Sequence, residues 1–252
     1  MKVAVISDIH GNLPALEAVL EDIKARGADK IICLGDIIGK GPSAKEAVEI
    51  CRSKCDIIVK GNWEDVFYKH FVDYQNGVVD GIGEKTLWYI NSVTVEQMEY
   101  LGALPHSCEF YLSGKLVRLF HAHPRNFNRY HPYSPLEQRM ELFEYSEHSE
   151  NKENADIAIY ADIHAAYMQI LQGRHLMNVG SVGNPLDINL ASYVIIEGAE
   201  GDVESPSFGV QFMRVRYDIE KAIDMAREAN IPDLDGYISE LRTAKYFLRT
   251  NG

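Results

Sequence analysis

Short apolar runs, each ending in polar residues suited to binding a ligand, recur along the first two thirds of this chain. Residues 3–7 open it as a buried strand. Leu13, Leu16, Val19, Leu20 and Ile23 then fall at helical spacing from Asn12 to Arg26, and Gly27 supplies a natural stop. A second apolar run over 30–34 ends in Gly35-Asp36. Ser43 stands where it can cap a helix over 44–51, and a third strand over 56–59 ends in Gly61-Asn62. Strand, helix, strand, helix, strand is the signature of parallel βαβ units. In such sheets ligands gather beyond the carboxyl ends of the strands, where the polar residues of this chain lie.

The texture changes further on. Residues 63–105 read as helical and aromatic, with Phe67, Tyr68, Phe71, Trp88 and Tyr89, and a separate helix over 95–101. A hairpin is predicted over 107–112 and 115–121, turning at Ser113-Gly114. Residues 124–154 are polar and aromatic, with a helix predicted over 135–149. Strand-like runs return at 155–160, 167–171, 175–178, 192–197 and 210–215. Two helices, opened by Asp218 and by Asp233 or Asp235, complete the chain. The expected fold is α/β with antiparallel additions (α+β), two packed mixed sheets flanked by helices. It is read as a single domain over 1–252, with a helical insertion around 63–105 and C-terminal helices over 218–250.

Five polar blocks carry the chemistry: Asp8-Ile9-His10-Gly11-Asn12, Gly35-Asp36, Gly61-Asn62, His121 and Asp162-Ile163-His164. Carboxylate, imidazole and amide groups are ligands for hard or borderline divalent metals. So many of them suggest two metals, and paired metals usually serve in-line attack at phosphorus. Asp8 or Asp36 alone could merely cap a helix or turn. That reading does not explain why histidines recur at matching strand ends.

The chain has 252 residues, 46% hydrophobic, enough for one large core. A formal net charge of −12 argues against a partner that is a nucleic-acid polymer and against anionic membranes. A small phosphorylated substrate remains compatible if the site is locally positive. The apolar run after Met1-Lys2 is too short for a signal-peptide core or a membrane span. Cys33, Cys51, Cys55 and Cys108 are then read as reduced structural thiols of a cytoplasmic protein, since no second pair completes a zinc knuckle. A homodimer is left open.

Taken in order, Asp-x-His, Gly-Asp, Gly-Asn, His and x-x-His resemble the calcineurin-like metallophosphoesterase superfamily over residues 1–216. Supporting detail comes from Gly35-Asp36-Ile37-Ile38-Gly39-Lys40-Gly41-Pro42. The stretch Asn178-Val179-Gly180-Ser181-Val182-Gly183-Asn184-Pro185 is similar to a turn in the small prokaryotic branch. The resemblance implies a four-layer αββα sandwich with a dinuclear centre. It implies that Asp8, His10 and His164 hold a first metal, that Asp36 bridges, and that Asn62, His121 and Asp162 hold a second. Asp36, Asn62 and His121 are thereby also implied in catalysis. Manganese or iron is the implied metal, with zinc, cobalt and nickel as substitutes, and water bound to the metals is the implied nucleophile.

Two blocks depart from the family pattern. Where the family has Gly-Asn-His-Asp/Glu, this chain has Gly61-Asn62-Trp63-Glu64-Asp65. Tryptophan cannot protonate a leaving group, which favours phosphoanhydrides over alkyl phosphates. The string is similar to that of a bacterial subset that splits diadenosine tetraphosphate asymmetrically into ATP and AMP. Trp63 is then a candidate to stack on a base, or equally a core residue. Where the family has Gly-His-x-His, this chain has Ala161-Asp162-Ile163-His164. Aspartate keeps the ligand count but adds negative charge, or else falls short and leaves the second site loose. Lys40, His123, Arg125 and Arg129, with Trp63, are the candidate substrate contacts. The leading reading is a metal-dependent phosphohydrolase acting on dinucleoside polyphosphates. The alternatives are a broad-specificity phosphodiesterase and a degenerate protein that binds metal or nucleotide without turnover.

Overall fold

A computed structural model describes residues 1–123, 129–203 and 207–247. The chain runs β1 (Lys2–Ile6), α1 (Leu13–Arg26), β2 (Lys30–Cys33), α2 (Ala44–Lys54), β3 (Ile57–Ile58), α3 (Asn62–Gln75), α4 (Glu84–Ile90) and α5 (Val95–Gly102). The second half is β4 (Ser107–Leu112), β5 (Lys115–Phe120), α6 (Leu136–Glu141), β6 (Ile157–Tyr160), β7 (Tyr167–Leu171), β8 (Arg174–Asn178), β9 (Ala191–Gly198), β10 (Phe208–Val215), α7 (Ile219–Glu228) and α8 (Leu234–Thr243). No helix among the described residues is long and apolar enough to cross a membrane.

Two mixed five-stranded sheets result, ordered β10-β9-β1-β2-β3 and β4-β5-β6-β8-β7. β1, β2 and β3 are parallel, as the βαβ pattern requires, and β9 and β10 add antiparallel strands at one edge. β1 is apolar from Val3 to Ile6 because both of its faces are covered there. Val3 and Val5 point between the sheets, against Val117, Leu119 and Ile159. Ala4 and Ile6 point to the helical side, against Leu16, Val19 and Val48. Phe67, Phe71, Tyr89 and Leu101 of α3–α5 extend that helical side, so the aromatic segment belongs to the same core.

Local signals set the helix ends. Asn12 Oδ1 accepts the Ala15 amide at 3.2 Å, and Gly27 closes α1 in the left-handed region at φ 65°. Asp218 accepts the Lys221 amide at 2.9 Å and opens α7. Ser43 precedes α2 but makes no side-chain cap.

The outer face of the second sheet is covered less regularly than the sequence predicts. In place of a helix over 135–149, only Leu136–Glu141 is helical. The reason is Arg118, fully buried on β5 opposite its partner Glu109 on β4. Its Nε donates to Glu109 Oε1 at 2.5 Å. Its terminal nitrogens donate to the carbonyls of Phe143 at 2.9 Å, Asn151 at 3.3 Å and Glu153 at 2.8 Å. Glu109 Oε2 in turn accepts both the backbone and side-chain nitrogens of Asn151. The Phe143 carbonyl, the one of the three within 135–149, also accepts the Ala155 amide at 2.8 Å, so both of its lone pairs are taken and it cannot continue a helical ladder. The segment becomes a strap, holding Leu142 and Phe143 against Phe120, Ala158 and Leu176.

Breaking this ion pair from one side should be costly. Arg118→Met should lose about 3–5 kcal/mol in denaturant titration, because Glu109 is left charged and buried. Amide exchange should rise across 143–153. Arg118→Met combined with Glu109→Leu should recover most of the loss, and a double variant as unstable as the single would contradict this account.

Candidate metal centre

The polar blocks meet where β1, β2, β5 and β6 end. Asp8, His10, Asp36, Asp162 and His164 all have left-handed backbones, with φ of 53°, 49°, 50°, 66° and 57°. Each such residue costs roughly 1–2 kcal/mol in an ordinary chain, although aspartate and histidine tolerate it better than most. A network of backbone hydrogen bonds between loops holds the geometry. The Asp8 amide donates to the Gly35 carbonyl at 3.0 Å, that of His10 to Asp36 at 2.9 Å, and that of Gly11 to Ile37 at 2.9 Å. The Gly183 amide donates to the Asp8 carbonyl at 2.9 Å. Strain collected in one place and held by its surroundings marks a functional site.

The side chains converge in two overlapping groups, Asp8 with His10 and His164, and Asp8 with Asp36 and His121. Asp8 Oδ1 lies 3.1 Å from His164 Nε2, 3.8 Å from His10 Nε2 and 3.9 Å from His121 Nε2. Asp36 Oδ2 lies 3.3 Å from His121 Nε2 and 3.7 Å from His10 Nε2. All five side chains are buried.

The donor chemistry fits cations. Each imidazole places Nδ1 against a backbone carbonyl: His10 on Ile38 at 3.1 Å, His121 on Leu34 at 2.9 Å and His164 on Asn184 at 2.6 Å. Nδ1 must then carry the proton, and the Nε2 lone pair faces the centre, as a metal ligand requires. His10 Nε2 and His164 Nε2 lie 3.2 Å apart and point at common space. Both oxygens of Asp8 and Nε2 of His121 are buried without a hydrogen-bond partner. Burial and the neighbouring His164 hold His10 well below its ordinary pKa, so it stays neutral. Burial raises the Asp8 carboxyl, but His164 and His121 more than offset this and keep it below the usual range. Burial works against charge on His121 and His164, but Asp36 and Asp8 outweigh it at His121 and Asp8 does so at His164, raising both. The buried carboxylates thus call for positive charge at the centre, which two borderline ions would supply on displacing the Nε2 protons.

Asp36 is fixed by a group the sequence reading did not single out. Glu64, on the first turn of α3, is fully buried. Its Oε2 accepts the amides of Asp36 at 2.7 Å and Gly61 at 2.9 Å, and its Oε1 those of Ile37 at 2.8 Å and Ile38 at 3.2 Å. One carboxylate thereby clamps the loop after β2 to the loop after β3. Asp36 Oδ1 accepts the Trp63 amide at 2.9 Å, which turns Oδ2 inward. Gly61 permits the approach, since a Cβ there would lie 2.2 Å from Asp36 Oδ1. Burial and the nearby Asp36 push Glu64 up to about 7.

Asn62 and Asp162 lie beside the same groups. Asn62 Nδ2 donates to Asp162 Oδ1 at 2.7 Å, which leaves the amide oxygen of Asn62 as the atom available to a metal. Asp162 Oδ1 lies 4.0 Å from His121 Nε2, and Arg129 grips the carboxylate from the other side, Nε to Oδ2 at 3.0 Å and Nη2 to Oδ1 at 3.3 Å. A cleft of about 390 Å³ opens over these groups, lined by Asp36, Lys40, Trp63, Arg129, Asp162 and His164 among others. Lys40 is paired to Glu240 of α8 at 2.7 Å. Trp63 packs edge-on against His10 at 5.3 Å and Tyr89 at 5.6 Å while still lining the cleft, so it is core and wall at once. His123 is buried, with its ring 5.5 Å from that of Tyr130. Arg125 lies outside the described residues. Besides Glu64, sequence reading missed Glu240, which accepts Asn184 Nδ2 at 3.0 Å and so reaches the residue whose carbonyl holds His164. No local pattern could announce a contact 56 residues away.

Residues 1–201 match the calcineurin-like phosphoesterase superfamily domain. The chain belongs to this superfamily. An uncharacterized protein of Methanocaldococcus jannaschii is 35% identical to it over 250 residues, which is 92% of this chain and 94% of that protein. The crystal structure of a metallophosphoesterase from Sphaerobacter thermophilus is similar at a TM-score of 0.73 and 26% identity, over 97% of this chain and 99% of that one. Phosphodiesterase YfcE of Escherichia coli is 50% identical over a short stretch of 42 residues, 17% of this chain and 23% of its own length. As a member, the chain is a metal-dependent phosphoesterase, and the converging groups after its strands are the candidate metal-binding residues.

The clamp on Asp36 predicts a sharp effect from an isosteric change. In Glu64→Gln the new NH₂ must face two backbone N–H groups in either orientation, leaving buried donors unpaired. The cost should be about 2–4 kcal/mol by chemical denaturation. Metal affinity should weaken roughly 10–100-fold by calorimetry, as when other supports of a metal ligand are lost. An unchanged unfolding midpoint with unchanged metal binding would show that the clamp is unimportant.

Proposed function

We propose that this phosphoesterase is a dinuclear phosphohydrolase that cleaves phosphoanhydride or activated phosphodiester bonds, with dinucleoside polyphosphates as the favoured substrate class. The observation that carries the proposal is the pair of overlapping ligand groups sharing Asp8, with buried unpartnered oxygens and an Nε2 directed at common space. Asp8, His10 and His164 would hold one ion, Asp36 would bridge, and His121, Asn62 and Asp162 would hold the other. Manganese or iron suits this oxygen- and nitrogen-rich set. When bound, such ions polarise phosphoryl oxygens and lower the pKa of a bound water to about 7.

The remaining steps belong to the chain's own groups. Arg129 presents its planar fork at the mouth, anchored on Asp162 and more than half exposed, where it can meet a phosphoryl oxygen. Lys40 adds a second positive charge across the cleft. Backbone hydrogen bonds hold the three imidazoles in the correct tautomer. Position 63 offers no acid, and among the described residues lining the cleft the other histidine is His131. Partial burial and the Arg129 charge lower its pKa, so it is mostly neutral near pH 7 and a poor proton donor. A leaving group that departs as a stabilised phosphate anion needs no such donor.

Asp36→Asn tests the dinuclear assignment. The introduced amide would keep the Trp63 hydrogen bond through its oxygen and so place NH₂ where Oδ2 now faces His121. Metal analysis should fall from two ions per chain to one or none, and the manganese-dependent rise in melting temperature should shrink, while the metal-free protein stays folded. Retention of two ions and near-normal turnover would remove Asp36 from the centre. The absence of an acid is tested separately with a series of aryl and alkyl phosphodiesters. Rates should fall steeply as leaving-group pKa rises, and a flat dependence with chemistry rate-limiting would expose a proton donor.

A further inference from the structure

A second cavity, of about 130 Å³, opens beside the metal cleft and shares Lys40, Trp63 and Tyr246 with it. This is several times the space one water needs. The two are lobes of one groove. The second lobe is walled by rings, Trp63 and Tyr89 from the helical side and Tyr246 and Phe247 from the residues after α8. Its edges are charged. Lys40 pairs with Glu240 at 2.7 Å, and Lys85 with Asp233 at 3.5 Å. Lys40 Nζ also lies 6.0 Å from the Tyr246 ring centroid, a cation facing an aromatic plane.

The origin of this wall separates it from the family machinery. The superfamily match ends at residue 201, whereas Asp233, Glu240, Tyr246 and Phe247 all lie beyond it. The C-terminal helices therefore add a lobe to a centre whose ligands they do not supply. Glu240 is buried, so α8 is fastened and not merely resting on the groove, while Tyr246 remains 62% exposed and open to a ligand. Flat aromatic walls, charged edges that can meet polar ring atoms, and direct continuity with a phosphate-directed cleft together fit one chemical class.

We propose that this lobe is the base subsite of the enzyme, binding the purine or pyrimidine ring of a nucleotide whose phosphates lie over the metal centre, with Tyr246 as the residue that selects for a base. The assignment rests on the phosphohydrolase reading above and names its substrate class as nucleotides. Stacking on an aromatic ring is tolerant of base identity, so the lobe distinguishes nucleotides from base-free phosphates more than one nucleotide from another.

The test compares ligands with and without a base. Calorimetry on the full-length, manganese-loaded protein should show AMP binding at least tenfold tighter than ribose 5-phosphate. Tyr246→Ala should remove about tenfold of that preference without changing ribose 5-phosphate affinity, and Tyr246→Phe should restore it. In turnover, Tyr246→Ala should raise KM for ATP or diadenosine tetraphosphate and leave KM for inorganic tripolyphosphate unchanged. Equal affinity of the wild type for AMP and ribose 5-phosphate would overturn the base subsite. So would a preference that survives Tyr246→Ala. If the wild type binds AMP selectively yet hydrolyses neither nucleotide nor tripolyphosphate, the phosphohydrolase reading fails and the base subsite stands on the binding data.

Discussion

The candidate centre depends on one carboxylate that faces away from it. Glu64 draws four backbone N–H groups from two loops onto its two oxygens. Those loops follow different strands, and together with the Trp63 amide on Asp36 Oδ1 the clamp fixes the spacing between Asp36 and Asn62. A neutral amide cannot do this, because only an ionised carboxylate accepts on both oxygens without donating. The arrangement explains why the chain tolerates a fully buried acid beside other acids. Four peptide dipoles offset part of the burial of Glu64, and the facing imidazoles part of that of Asp36, both of which stay raised, whereas at Asp8 the imidazoles outweigh burial.

The charge pattern of the interior follows from the same arrangement. Asp8, Asp36, Glu64 and Asp162 crowd the ends of the strands, and the positive groups at the rim, Lys40 and Arg129, are already engaged by Glu240 and Asp162. The chain as a whole is strongly acidic. Attraction for a phosphorylated ligand must therefore come from the donor set and its ions more than from any wide basic surface.

Much of this is legible in the sequence, and the limits have physical causes. Strand–helix alternation through residue 59 announces the parallel strands and the ends where ligands collect. The recurrence of histidines after apolar runs locates His10, His121 and His164. Glu64 is visible as the acid three positions after Gly61, a capping pattern, but its reach to the loop of Asp36 depends on tertiary packing. The helix expected over 135–149 is cut short because the Phe143 carbonyl is taken by Arg118, 25 residues earlier, and by the Ala155 amide. Trp63 reads from sequence as either core or substrate contact, and the structure makes it both wall and packing surface. Glu240 and Tyr246 carry no local signature, since their neighbours in the groove lie across the whole chain.

The left-handed backbone at five of the candidate ligand residues carries a consequence for engineering. Aspartate and histidine are chemically apt ligands, and they are also among the few side-chain types that sit easily at positive φ. The ligand alphabet here is filtered twice, once by coordination and once by conformation. Attempts to retune the centre toward softer metals by introducing cysteine, or to lengthen a ligand with glutamate, must work against the main chain as well as the ion. Asparagine and glycine are the replacements the backbone would accept most readily, and they are poor substitutes as ligands. Such a site is free to vary its metals by altering the groups behind the ligands, and far less free to vary the ligands themselves.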